Sequence, residues 1–129
     1  MMVQHTEHIC LIAMTESIFK NELLNSLRQE NCRFLFAGTG EEAIGIWRQY
    51  PDVKLILIDI NLPVINGIET IKVIRHVDAD IPVILLVTHI MLETMRLAQN
   101  LGCNEILQTP VEPTTLETII YKYLPSKST

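Results

Sequence analysis

The chain lacks the features that would send it to a membrane, a nucleic acid or a disulfide scaffold. No apolar run approaches the length of a bilayer span, and Met1-Met2-Val3-Gln4-His5-Thr6-Glu7 has no basic stretch followed by an apolar one. A cytoplasmic location without membrane contact is the expectation. Lys and Arg together number 10 against 15 Asp and Glu, for a net charge of -5, and they form no cluster. Phosphate backbones are held by grouped cations, so direct nucleic-acid binding is not expected. The three cysteines, Cys10, Cys32 and Cys103, are odd in number and far apart, which suggests neither a disulfide framework nor a zinc pair. Cys10 sits inside an apolar stretch and reads as a small core residue. Walker loop, nucleophile elbow and metalloprotease helix are all missing, so the chain reads as something other than an enzyme. Internal repeats and low-complexity blocks are missing too.

What is present fits one domain with a core of its own: 129 residues, 48% of them hydrophobic and 19% charged. The expected limits are residues 8–124, preceded by a tail over 1–7 and followed by the polar Pro125-Ser126-Lys127-Ser128-Thr129. Short apolar runs alternate with amphipathic stretches throughout, the pattern of βα units around a parallel sheet. Strands are expected at Ile9–Met14, Arg33–Ala37, Lys54–Asp59, Ile81–Val87 and Glu105–Gln108, the third and fourth central because they are nearly all apolar. Five helices fill the gaps. The first, Ser17–Glu30, has Phe19, Leu23 and Leu27 on one stripe, and the last sets Leu116, Ile119, Ile120, Tyr123 and Leu124 at amphipathic spacing. Thr39-x-x-Glu42, Asn66-x-x-Glu69 and Thr114-x-x-Glu117 have the spacing of helix starts, and Gly102 suits the end of the fourth helix. Right-handed crossovers then give an α/β, flavodoxin-like, doubly wound sheet of five parallel strands in the order 2-1-3-4-5.

The most informative stretch is Leu55-Ile56-Leu57-Ile58-Asp59-Ile60-Asn61-Leu62-Pro63-Val64-Ile65-Asn66-Gly67, an apolar run that ends in one carboxylate and a Pro/Asn/Gly turn. It delivers Asp59 to the carboxyl edge of the sheet, where open α/β folds build their sites. Met14-Thr15-Glu16, Thr88 and Thr109 should converge on the same edge. A flavin-binding enzyme on such a fold would carry a Ser/Thr/Gly-rich phosphate loop after the first strand. Met14-Thr15-Glu16-Ser17 has no glycine there, and Gly38-Thr39-Gly40 is better explained as a turn and helix cap.

In these residues the chain resembles the response-regulator receiver domain of two-component signalling. Asp59-x-x-x-Pro63-x-x-Asn66-Gly67 is similar to that family's phosphoacceptor motif, and Thr88 stands where the family has its switch hydroxyl. Gly40-Glu41-Glu42-Ala43-Ile44 falls where the family opens its second helix. The segment from Gly102 to Pro110 is similar to the family's fifth strand, which implies a cis bond between Thr109 and Pro110. The resemblance also shows departures. An acidic pair that helps the acceptor hold Mg²⁺ is replaced by Met14 and Thr15, the lysine before the proline by Thr109, and the aromatic switch residue by Ile106.

Mg²⁺ takes hard oxygen ligands, and losing a charged one costs on the order of several kcal/mol at an effective dielectric near 20. Only a weak metal site is therefore implied, made by Asp59, the backbone carbonyl of Asn61 and Glu16. Glu16 can equally be read as an acid in the first turn of a helix, favoured by the dipole. His89, directly after Thr88, reads either as a replacement cation or as an exposed loop residue. A hydroxyl at Thr109 could hydrogen-bond Asp59 without offsetting its charge.

The resulting expectation is an atypical receiver module that acts through protein contacts, with Asp59 phosphorylation weak or lost. The alternatives are a conventional phosphoswitch at Asp59 and, from another class, a flavodoxin-like cofactor-binding enzyme. Partners implied by the resemblance are a sensor histidine kinase or phosphotransfer protein, an effector, and a second copy through the fourth helix, fifth strand and fifth helix. The apolar triplet Ile90-Met91-Leu92 cannot all turn inward on a helix, so partner surface and core packing are both open to it.

Overall fold

The computed structural model describes residues 8–15, 20–21 and 32–124. Five strands, β1 His8–Ala13, β2 Cys32–Ala37, β3 Val53–Asp59, β4 Val83–Val87 and β5 Glu105–Gln108, make one sheet in the order β2-β1-β3-β4-β5. Every neighbouring pair is parallel. Four helices lie among the described residues: α1 Gly40–Gln49, α2 Gly67–Val77, α3 Leu92–Asn100 and α4 Pro113–Tyr123. The expected helix over Ser17–Glu30 lies outside the described residues except for Lys20 and Asn21, which are helical. Both expected tails, 1–7 and 125–129, lie outside them as well.

Continuous apolar strands follow from a sheet covered on both faces, since successive side chains point to opposite sides. Leu11 and Ala13 of β1, Ile56 and Ile58 of β3, and Val83, Leu85 and Val87 of β4 pack with Ala43, Ile71, Ile74 and Ala98 from α1, α2 and α3. The alternate residues Cys10, Ile12, Leu55, Leu57, Ile84 and Leu86 meet Leu116, Ile120 and Leu124 on the α4 side. Each such Leu or Ile contributes about 1.5–3 kcal/mol by leaving water. Cys10 is fully buried as expected, and burial pushes its thiol well above the ordinary range.

The helix starts follow local chemistry. Thr39 Oγ1 accepts from Glu42 N at 3.0 Å while Glu42 reaches back to accept from Gly38 N at 2.7 Å. Asn66 Oδ1 accepts from Glu69 N at 2.9 Å. The expected cap at Thr114 is corrected: Glu112 is the N-cap, without a side-chain bond, and α4 begins at Pro113. Proline there lacks the N–H that would otherwise go unpaired and presets the helical φ, so the helix starts earlier than the Thr114–Glu117 spacing implied. β4 likewise starts at Val83 rather than Ile81. Pro82 has no N–H to give, and Ile81 N is taken by Asp78 Oδ1 at 3.0 Å. Gly102 closes α3 with φ +72°, its N–H donating to Gln99 O at 3.0 Å.

α3 is lightly held. Only Ala98 among its residues is buried, and its N-cap, Met91, has no side-chain capping bond. Arg75 at the end of α2 fastens the far end, donating from Nε to Leu101 O at 2.7 Å and from Nη2 to Gly102 O at 3.0 Å. Ile90, Met91 and Leu92 do not join the core; all three are exposed.

Candidate functional site

β3 ends on Asp59, whose Oδ1 accepts from the N–H of Asn61 at 2.9 Å in a tight local turn. The carboxylate is thus held at the strand end. Ile60 N continues the ladder to Leu86 O at 2.9 Å, and Gly67 N returns to Ile60 O at 3.0 Å. Gly67 is required here: a Cβ would lie 2.6 Å from Asp59 O and 2.8 Å from Ile60 Cα. Having no side chain, it lets the N-terminus of α2 close against the backbone of Asp59, bringing the positive end of a helix dipole to the same edge.

Thr88 follows β4 directly. Its Oγ1 accepts from Asn61 Nδ2 at 2.9 Å, and its carbonyl accepts from Gln108 Nε2 at 3.3 Å. Asp59, Asn61, Thr88 and Gln108 therefore form a polar chain across β3, β4 and β5. Asn61 and Gln108 carry no local signal of a bridging role, because each reads alone as an exposed polar residue at a strand end.

Thr109 is not part of this chain. Its N–H donates to Val87 O at 2.8 Å and its hydroxyl approaches the same carbonyl at 3.4 Å. The Thr109–Asp59 hydrogen bond that the sequence allowed is not made; the strand carbonyl beside it captures the hydroxyl. The Thr109–Pro110 bond is cis, as the resemblance implied. Ile106, half-buried in β5, packs on the side of the sheet covered by α1, α2 and α3.

Of the two residues in place of an acidic pair, Met14 is buried in the α4-side core and Thr15 is exposed. Glu16 lies outside the described residues. Asn61 is exposed, with its carbonyl in the loop two residues beyond Asp59. Among the described residues no group of three or more His, Cys, Asp or Glu side chains converges as a metal cage. Asp59 is half-buried at the end of β3, and the thioether of Met14 is both soft and packed away. That donor set does not fit a tight Mg²⁺ site. His89 is exposed, and the ion pairs among the described residues, Lys72–Glu69 and Lys122–Glu105, lie elsewhere.

The loop between Asp59 and α2 holds one strained residue. Val64 has φ +70°, and the N–H of Ile65 donates to Pro63 O at 2.8 Å across it, which is the bond of a γ-turn. A β-branched residue in this region is an outlier, and nothing in its sequence neighbourhood announces it.

The family model for the response regulator receiver domain matches residues 10–121. The chain belongs to that family. Sporulation initiation phosphotransferase F of Bacillus subtilis is 30% identical over 112 residues, covering 86% of each chain. Sensory transduction protein LytT of Oceanobacillus iheyensis is 35% identical over 80 residues, covering 60% of this chain and 32% of the relative. The chain thus spans most of the first relative and about a third of the second. Among solved structures, a CheY-like receiver domain protein from Methanospirillum hungatei superposes with a TM-score of 0.81 at 22% identity, covering 90% of this chain and 92% of the other. That likeness is one of fold. In this receiver domain no helix among the described residues is long and apolar enough to cross a membrane.

Proposed function

We propose that this receiver domain serves a two-component or phosphorelay pathway mainly through protein contacts, with phosphorylation of Asp59 weak or lost. The observation that carries the reading is the surroundings of Asp59. Its polar contact among the described residues is the Asn61 N–H, while the Thr109 hydroxyl turns to Val87 and Met14 packs into the core. Phosphoryl transfer depends on positioning and on neutralising charge at the transferred oxygens. Positioning persists here in the Asp59–Asn61–Thr88 chain; charge neutralisation is what the described residues fail to supply.

The partners in this reading are a sensor histidine kinase or phosphotransfer protein and an effector, in the cytoplasm, and the domain itself is not an enzyme. The face of α3, β5 and α4, with exposed Leu92 and Leu97, suits an effector or a second copy. A conventional phosphoswitch is the second reading. It is favoured by Thr88 lying one side chain from Asp59 and by a relative whose name is that of a phosphotransferase.

Incubation with acetyl phosphate and Mg²⁺, read by intact mass, separates the two. The proposal expects little or no phosphoryl adduct on the chain. A stoichiometric adduct that Asp59→Asn abolishes establishes the phosphoswitch instead.

A further inference from the structure

Four exposed aliphatic side chains stand on the segments that follow β3 and β4: Val64 at 74%, Ile90 at 49%, Met91 at 59% and, as the first residue of α3, Leu92 at 66% exposure. The Asn61–Thr88 hydrogen bond stitches those two segments together at 2.9 Å. Val64 is the most telling of them. The left-handed backbone at this position is one that Gly or Asn adopts cheaply, yet an exposed valine occupies it and presents two methyl groups to solvent.

An apolar rim of this kind excludes water once it is covered, and a charge inside it then interacts through a lower dielectric. The charge between these segments in the sheet is Asp59, at the end of β3 beside Asn61. One carboxylate oxygen accepts from the Asn61 N–H, and no ion pair among the described residues includes this side chain. Covering the rim with a purely apolar partner would strand that carboxylate at a cost of several kcal/mol. Covering it with an acidic partner would be worse, given a chain whose net charge is already -5.

We infer that this edge docks a segment of a partner protein carrying one arginine between apolar residues, so that the partner supplies in trans a cation that Asp59 does not have among the described residues. Arginine fits better than lysine because its planar fork can meet both carboxylate oxygens while its stem lies along the aliphatic rim. The inference rests on reading the chain as a protein-contact module and names the chemistry of the contact.

The test is fluorescence anisotropy with the full chain and two labelled peptides, with neither Mg²⁺ nor phosphodonor present. One peptide has arginine flanked on each side by two leucines; its twin has citrulline, which keeps the shape and loses the charge. The arginine peptide is expected to bind about ten-fold more tightly than its twin. That ratio should fall to near one in Asp59→Asn, and also in Thr109→Lys, which offers a competing cation from within the chain. Val64→Ser combined with Ile90→Ser should weaken both peptides alike. Equal affinity of the twins for the natural chain, or an arginine preference that survives Asp59→Asn, overturns the inference. So does a self-associated chain in sedimentation that neither peptide dissociates, which would assign the rim to a second copy. Because no phosphoryl chemistry enters, failure here leaves the acetyl phosphate result to decide the function separately.

Discussion

Asn61 stands between Asp59 and Thr88, lending its backbone N–H to the carboxylate and its side-chain amide to the hydroxyl, each at 2.9 Å. Since Thr88 Oγ1 accepts from the amide, its own proton is left to be donated elsewhere. The side chain of Asn61 is therefore a positioning group for Thr88, and the backbone of Asn61 one for Asp59.

Replacing Asn61 by Ala should release Thr88 and leave Asp59 in place, because the backbone turn needs no side chain. The bond is exposed, so about 0.5 kcal/mol of stability should be lost in urea titration. The sharper readout is NMR of the Thr88 methyl group, which should go from one rotamer to an average. An unchanged Thr88 signal would mean that something other than Asn61 holds the hydroxyl.

Gly67→Ala should be far more damaging than its size suggests. The new methyl would sit 2.6 Å from Asp59 O, against backbone that cannot yield without moving the strand end. A loss of about 1–3 kcal/mol in denaturant unfolding is expected, with amide shifts centred on Asp59 and Ile60. Loss of stability without those shifts would place the strain elsewhere.

Arg75→Met should free α3 ahead of the rest of the fold. The guanidinium satisfies carbonyls at the close of α3 and also donates from Nη1 to Asp78 O at 3.2 Å, while α3 buries only Ala98. Three charge-assisted bonds go together, so about 2 kcal/mol of local stability is at stake. Hydrogen exchange should speed up in α3 and the following turn, with β1 and β3 unaffected. Uniform acceleration across the sheet would contradict this.

Glu105 gives the fold a pH signature at the opposite edge of the sheet. Its Oε2 accepts from Tyr123 OH and from Lys122 Nζ, the latter at 3.1 Å. The Tyr123 hydrogen bond first, then Lys122, holds the carboxyl below its ordinary value of 4.5. A group depressed in the folded state stabilises above its unfolded pKa, and that contribution fades as pH falls through the folded value. The stability difference between the natural chain and Glu105→Gln should therefore be flat near neutrality and shrink below about pH 4.5. The same hydrogen bond raises the Tyr123 hydroxyl above 10, so a second decline is expected at strongly alkaline pH. A difference that stays constant through acid would remove Glu105 from the pH response.

Much of this fold was legible in the sequence because its signals are local and periodic. The runs from Leu55 to Ile58 and from Val83 to Val87 suit strands covered on both faces, as in a parallel sheet, and Thr39 and Asn66 announce their helices by cap spacing. Thr114 misled because Pro113, a stronger start signal, stands one residue before it. The places of Asp59 and Thr88 at the ends of β3 and β4 were readable from the apolar runs before them, and Asn61 was visible only for its carbonyl. What escaped was side-chain direction. The amide of Asn61 crossing to Thr88, the Thr109 hydroxyl choosing Val87 over Asp59, and the turn at Val64 each depend on contacts 20 or more residues apart or on a backbone state without a sequence marker.

The Asp59 edge keeps its geometry and, among the described residues, has no cation paired with the carboxylate. The most direct test restores charge without disturbing the core: Thr15→Asp combined with Thr109→Lys, both at positions outside the buried set, assayed for acetyl phosphate-dependent adduct formation with Mg²⁺. The charged variant should form the adduct at least about ten-fold faster than the natural chain, and adding Asp59→Asn should abolish it. A natural chain that already forms the adduct as fast as the charged variant would contradict it.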